Sequence, residues 1–161
     1  MKPINYIEIF PKHTNAILPV FGTGESAGAD LATVEAFTLN PGETKVVETG
    51  LIMRPPRGYR IDIRSRSGLA AKYQVSVLNS PGTIDRDYCG PEDTVKVILT
   101  RSSNSEGVCF FNVGDRVAQM VLTETNPWDW SIQTTANFAQ KENRDGLGST
   151  GVSTAMVEAN G

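Results

Sequence analysis

Cysteine is scarce in this sequence: Cys89 and Cys109 are the whole complement. Two thiols build no disulfide framework, and their spacing matches no zinc-binding pattern, so both are expected to be free in a reducing compartment. Histidine is scarcer still. His13 stands alone among polar neighbours in Pro11-Lys12-His13-Thr14-Asn15, a surface setting that offers neither a histidine triad nor a multi-histidine metal centre. No apolar run approaches the roughly 18 residues of a membrane helix. The opening Met1-Lys2-Pro3-Ile4-Asn5-Tyr6 has no apolar secretory segment, so a cytoplasmic protein without a membrane partner is expected. An excess of basic charge is missing as well. Lys and Arg number 15 against 18 Asp and Glu, a net charge of -3. Non-specific nucleic-acid binding leaves a basic footprint, so no direct nucleic-acid partner is expected. A polyanionic ligand would need a local cluster of cations or a metal of its own. Chemistry here falls to carboxylates, arginines and backbone.

What is present is a chain of 161 residues, 39% hydrophobic, with 15 Gly and 9 Pro. That is one domain's worth of core with many turns. Short runs of β-branched and aromatic residues recur between turn signals: Ile4–Phe10, Ala16–Phe21, Phe37–Leu39, Thr44–Thr49, Gly50–Met53 and Tyr59–Ile63, then Val75–Leu78, Thr94–Thr100, Val108–Asn112 and Arg116–Thr123. Short strands at this spacing predict an all-β sandwich or barrel. One short helix is expected over Gly68–Gln74, with Ser67 at its cap. Beyond Thr125 the strand pattern dissolves into polar and glycine-rich sequence. The expected organisation is a β-rich catalytic core over 1–138 and a flexible tail over 139–161.

Five segments carry more Gly, Asp, Arg and Ser than strand scaffolding requires. They are Ser26-Ala27-Gly28-Ala29-Asp30-Leu31, Arg64-Ser65-Arg66-Ser67-Gly68-Leu69-Ala70, Gly82-Thr83-Ile84-Asp85-Arg86-Asp87-Tyr88, Gly114-Asp115-Arg116-Val117-Ala118-Gln119 and Asp145-Gly146-Leu147-Gly148-Ser149-Thr150-Gly151. The second is the best anion site, because Ser67 and Gly68 open a helix with free N–H groups and Arg66 adds a fork of donors. The third, if extended, sets Asp85 and Asp87 on one face about 7 Å apart, where one could activate a water; solvated acids of a hairpin are the alternative. The fifth resembles a phosphate-cradling loop but lacks the lysine of a P-loop.

Taken in order, these segments resemble the five motifs of the trimeric dUTP diphosphatase (dUTPase) family, over about Leu18 to Gly151. The resemblance implies an all-β jelly-roll (β-clip) subunit, assembled as a homotrimer with sites shared between subunits. It implies hydrolysis of dUTP to dUMP and pyrophosphate by water attack on the α-phosphorus, which limits uracil incorporation into DNA and supplies dUMP for thymidylate synthesis. By that likeness Asp85 is the catalytic base. Asn79 would read the uracil edge, within a hairpin over Val77–Gly90 that includes Gly82, Thr83 and Ile84, and Tyr88 would pack beneath the deoxyribose. Arg66, Ser67, Gly68 and Gln119 correspond to phosphate contacts. Mg²⁺ is the implied cofactor, held by the phosphates and water, with no direct protein ligand and Asp30 acting through water. Arg144, Leu147, Gly148, Ser149 and Thr150 correspond to a lid over the nucleotide.

The fifth segment departs from the family pattern in two places. Leu147 stands where an aromatic residue usually covers the base, and Arg144 lies three residues before it rather than five, position 142 being Glu142. The related dCTP deaminases need a glutamate on the strand after the substrate hairpin, and Thr94–Thr100 contains no acid. Intact Asp85, Tyr88, Arg66 and Ser67 weigh against a regulatory binding protein on the same fold with catalysis lost, and a structural jelly roll would have no reason to keep these polar clusters.

Overall fold

Alternating apolar side chains become strands wherever an edge is available to pair with them. The computed structural model describes residues 6–132, and among these it contains twelve strands and one helix. None of the described helices is long and apolar enough to cross a membrane. The chain divides after Pro127; of the second unit, residues 128–132 are described, with the Trp128 and Trp130 rings edge to face at 4.7 Å.

The largest sheet runs β2 (Val20–Phe21), β3 (Ala29–Ala32), β12 (Arg116–Glu124), β7 (Tyr59–Arg64) and β9 (Gly82–Ile84). A second sheet sets β10 (Lys96–Arg101) between β5 (Thr44–Glu48) and β8 (Val75–Val77). Two further pairs join β1 (Glu8–Pro11) to β6 (Leu51–Arg54) and β4 (Phe37–Leu39) to β11 (Cys109–Phe111). Every pairing is antiparallel. Inward side chains such as Leu31, Leu51, Ile61, Val97, Leu99 and Val117 join one apolar cluster. Burial of each contributes about 1.5–3 kcal/mol before the entropy of ordering is counted.

The all-β class with one short helix is as expected, but several elements differ from the sequence reading. Ala16–Phe21 is a strand only at Val20–Phe21, because the chain turns at His13–Ala16, where Ala16 N–H donates to the His13 carbonyl, and Pro19 offers no donor. The strands β3 and β9 are additions: Gly, Ala and Asp hide a strand that central pairing supplies. Val77–Gly90 is not a hairpin, since β8 pairs with β10 while β9 pairs with β7 in the other sheet. The helix, α1 (Ser67–Tyr73), starts one residue earlier than expected; Arg66 is its N-cap and no side chain caps it. Ser67 is the first helical residue, its hydroxyl uncommitted to a cap. Gln74 closes the helix in the left-handed region at φ 55°.

On β7, Arg60, Asp62 and Arg64 share the face opposite Ile61 and Ile63. Asp62 is only 2% exposed, yet fully partnered. Its carboxylate accepts from Arg60 Nε at 2.8 Å, Arg64 Nη2 at 2.9 Å and Thr123 Oγ1 at 2.9 Å. Burial pushes its pKa up, but the bonds from Arg64, Arg60 and Thr123 together prevail and hold it below the usual aspartate value. A folded-state pKa below the unfolded one means that this stabilisation is complete above the unfolded value near 4 and fades as pH falls through the lower folded value. Asp62→Asn is therefore expected to lose about 1–3 kcal/mol at pH 7, with the deficit shrinking below about pH 4. Urea denaturation of both proteins across that range checks it; a deficit independent of pH would contradict the assignment.

Candidate active site

The site is built on the central strand of the five-stranded sheet. Register sets Gln119 of β12 directly across from Asp30 of β3 on one side and Arg64 of β7 on the other. Cross-strand partners share a face, so the first and fourth polar segments meet. A β-bulge between Arg116 and Ala118 then changes the phase of β12. Val117 stays buried, and Arg116 comes across from Ala32, on the same face as Asp30. In regular pairing Arg116 would point to the core.

Asp30 gathers two arginines. Its Oδ1 accepts from Arg66 Nε at 2.9 Å, and its Oδ2 accepts from Arg66 Nη2 and Arg116 Nη1, both at 3.2 Å. Arg66 Nη1 also donates to the Arg116 carbonyl at 2.9 Å. Three of the five guanidinium N–H groups of Arg66 are thus engaged, and its side chain keeps 25% of its surface exposed. Ser67 and Gly68 beside it are exposed. Gln119 Nε2 donates to the Ser65 carbonyl at 2.8 Å, which ties the approach to α1 to the same strand.

The third segment forms a separate cluster. After Ile84 the chain turns rather than extending: Tyr88 N–H donates to the Asp85 carbonyl at 3.2 Å, and Cys89 N–H to the Asp87 carbonyl at 2.9 Å. Asp85 and Asp87 are therefore not a same-face pair on a strand. Both are exposed, and no hydrogen bond or ion pair to a described residue holds the Asp85 carboxylate. Around them the loop is fastened, by Arg86 to the Pro55 carbonyl and by Tyr88 Oη to the Thr94 carbonyl at 3.3 Å. Asn79 lies over Gly82: a Cβ on that glycine would be 3.2 Å from Asn79 Nδ2. Thr83 is exposed, and Ile84 packs against the core.

Within one chain Asp85 and Arg66 lie toward opposite ends of the β7–β9 ladder. Ile84 sits across from Ile61 and Gly82 across from Ile63, so Asp85 lies beyond the Ile61 end of the ladder, while β7 runs the other way to Arg64, two residues before Arg66. Ile61 to Arg64 alone is about 10 Å of strand. Arg144, Leu147, Gly148, Ser149 and Thr150 lie outside the described residues.

Comparison with known proteins bears on the family and the fold. The family model for dUTPase matches residues 14–151. A deoxyuridine 5'-triphosphate nucleotidohydrolase of Helicobacter pylori is 40% identical over 156 residues, covering 92% of this chain and 99% of its own length. The protein of that name from Anaplasma marginale is 41% identical over 136 residues, covering 83% and 88%. The chain belongs to the dUTPase family. Among solved structures, a Staphylococcus bacteriophage 80alpha dUTPase with dUpNHpp has the same fold at a TM-score of 0.74 and 24% identity, covering 92% of this chain and 100% of that one. A mutant dUTPase from phage phi11 of S. aureus, described with a structural Mg(II) ion, gives 0.72 at 22%, covering 83% and 100%.

Two participants in this cluster stand within the polar segments of the sequence, which gives neither of them a role. Arg116 was hidden because a Gly-Asp turn and a strand account for its surroundings, and no pattern announces a bulge. Ser65 matters through its carbonyl, which accepts from Gln119, and through its hydroxyl, which accepts from the Val77 N–H at 2.9 Å. The cluster also explains Gly28, where a Cβ would lie 3.0 Å from Gln119 Oε1, 3.1 Å from the Met120 carbonyl and 3.2 Å from Val121 Cγ2. Gly28→Ala is expected to lower stability by about 1–3 kcal/mol, since the carbonyl belongs to the central strand and cannot withdraw. Gly68→Ala, with nothing within 4 Å of its Cβ, should be neutral or slightly stabilising. Thermal denaturation of the pair checks this; equal melting temperatures would contradict it.

Proposed function

We propose that this dUTPase-family chain hydrolyses dUTP to dUMP and pyrophosphate, by water attack on the α-phosphorus with Asp85 as general base. The observation that carries the reading is the gathering of Arg66 and Arg116 by the single carboxylate of Asp30, a local positive site on a chain of net charge -3. Arg66 and Ser67 take the phosphates, where charge develops as pyrophosphate leaves, and Gln119 takes the α-phosphate. Asp85, free of partners among the described residues, accepts the proton of the attacking water. Asn79 and the backbone from Gly82 to Ile84 receive the uracil, and Tyr88 closes the space beneath the sugar.

Among the described residues no group of three or more His, Cys, Asp or Glu could hold a metal ion, and the Asp30 oxygens are taken by arginines. Such a donor set fits Mg²⁺ that arrives as the triphosphate complex, with Asp30 contacting it through water. When bound, Mg²⁺ would offset phosphate charge. The separation of Asp85 from Arg66 along the β7–β9 ladder supports sites completed between subunits of a homotrimer, one contributing the Asn79–Tyr88 cluster and another the arginines. Arg144, Leu147, Gly148, Ser149 and Thr150 supply the lid in this reading. The nucleotide pool is the cytoplasmic one, and the product serves thymidylate synthesis while uracil is kept from DNA.

Two measurements test it. Asp85→Asn is expected to bind α,β-imido-dUTP as the native protein does while kcat falls about 100- to 10,000-fold; more than a tenth of native turnover would remove Asp85 from the role. Hydrolysis in ¹⁸O-labelled water is expected to place the heavy oxygen in dUMP. Label in pyrophosphate would mean attack at the β-phosphorus.

A further inference from the structure

Helix α1 is not held as the strands are. None of its seven residues is buried, and only Leu69 packs partly on the apolar core. Seven residues are too few for an isolated helix to be stable, so polar contacts at its ends must fix it. At the first end Arg66 grips Asp30.

At the other end stands Arg101. Val97, Leu99 and Arg101 are the inward positions of β10, so a guanidinium takes a core site and is 5% exposed. Among the described residues no carboxylate pairs with it; four backbone carbonyls accept instead. Nε donates to Tyr73 at 3.2 Å, Nη1 to Leu39 at 3.2 Å and Gly107 at 2.8 Å, and Nη2 to Glu106 at 2.6 Å. One side chain thus joins the last turn of α1, the end of β4 and the loop before β11. Ser102 N–H extends the clasp to the Gln74 carbonyl at 3.1 Å.

A buried charge met only by neutral acceptors is expensive for a role that an aliphatic residue could fill in packing terms. Its geometry shows what the charge does: the carbonyl end of a helix is where a cation is favoured, and a planar fork reaches acceptors from three segments at once. Arg101, Tyr73, Leu69, Arg66 and Arg116 line one cavity of about 610 Å³, so no packed layer on that side resists a shift of α1. We propose that Arg101 is a positioning residue for the phosphate end of the site: by fixing the last turn of α1 it sets the orientation of Arg66 and Ser67. This rests on the reading of Arg66 and Ser67 as phosphate contacts.

The test uses the full chain and two ligands, α,β-imido-dUTP and deoxyuridine, which lacks phosphate. Arg101→Lys keeps the charge but loses the fork. It is expected to bind the imido analogue about 10- to 100-fold more weakly, as misplaced contacts do, with deoxyuridine affinity by NMR titration within about twofold of native. Unchanged analogue binding, or an equal loss for both ligands, overturns the positioning role. Arg66→Ala, titrated alongside, separates the two ideas. If it binds the analogue normally, the phosphate reading has failed and the proposal falls with it; if it alone weakens the analogue, only the positioning role fails. Should Arg101→Lys not fold, Gly107→Val serves, because valine is strained at the φ of +64° and nothing lies within 4 Å of its Cβ. It displaces two of the four acceptors and should weaken the analogue at least about threefold, again sparing deoxyuridine; equal binding of both ligands overturns the proposal.

Discussion

The pairing of Asp30 with Arg66 is the contact on which the polar half of this molecule depends. It joins the second strand of the large sheet to the N-cap of the helix, 36 positions further along the chain, and admits Arg116 from the central strand to the same carboxylate. One anion between two guanidinium groups leaves a net positive charge at that place. The side chains of Asp30 and Arg66 are 19% and 25% exposed, so their attraction is screened less than that of a surface pair while desolvation remains incomplete. A chain with more acidic than basic residues can then bind a highly anionic ligand, because affinity follows the local field rather than the net charge.

Two aspartates on the large sheet and the loop that follows it show how environment divides roles. Asp62 is sunk among two arginines and a threonine, its proton held off by three hydrogen bonds, and it serves structure. Asp85, two residues beyond the Thr83 that pairs with Asp62, sits on an exposed turn without such partners. The proposed role of Asp85, accepting a proton from water, asks for a carboxylate that is reachable and not already held by fixed donors. The two settings differ by one strand's end, and only the exposed one meets that requirement.

Much of this was legible in the sequence, and the illegible parts have physical causes. Strands rich in β-branched residues, such as Tyr59–Arg64 and Arg116–Glu124, announce themselves because side-chain period and burial coincide. The strand Ala29–Ala32 does not, because its small and charged residues take strand form only through two neighbours that other parts of the chain provide. Val77–Gly90 read as a hairpin since local sequence shows a turn but not which sheet each arm will join. The polar motifs mark out the segments of Asp30, Arg66 and Gln119, which the fold brings together. That Arg116 belongs with them rests on a single inserted residue in strand pairing, a property of register that no residue type encodes. Ser65 stands inside a polar segment, but that its carbonyl would meet Gln119 and its hydroxyl Val77 is a matter of tertiary placement.

The helix shows why such sites combine weak packing with strong polar fixation. An apolar seat for α1 would hold it firmly, but its residues would then be covered and the Arg66–Ser67 end withdrawn from a ligand. Leaving every residue of α1 unburied keeps that end open, and places the burden of stability on a few hydrogen bonds. Those bonds come from guanidinium groups at both ends, Arg66 reaching to Asp30 and Arg101 reaching to Tyr73. Each is directional, so each fixes rotation as well as distance, which apolar contact does poorly. A short helix clasped in this way can present its first residues at a set angle without becoming part of the core. In the proposed arrangement, precision at the Arg66–Ser67 end is supplied from the opposite end of the helix, by a residue that touches no ligand.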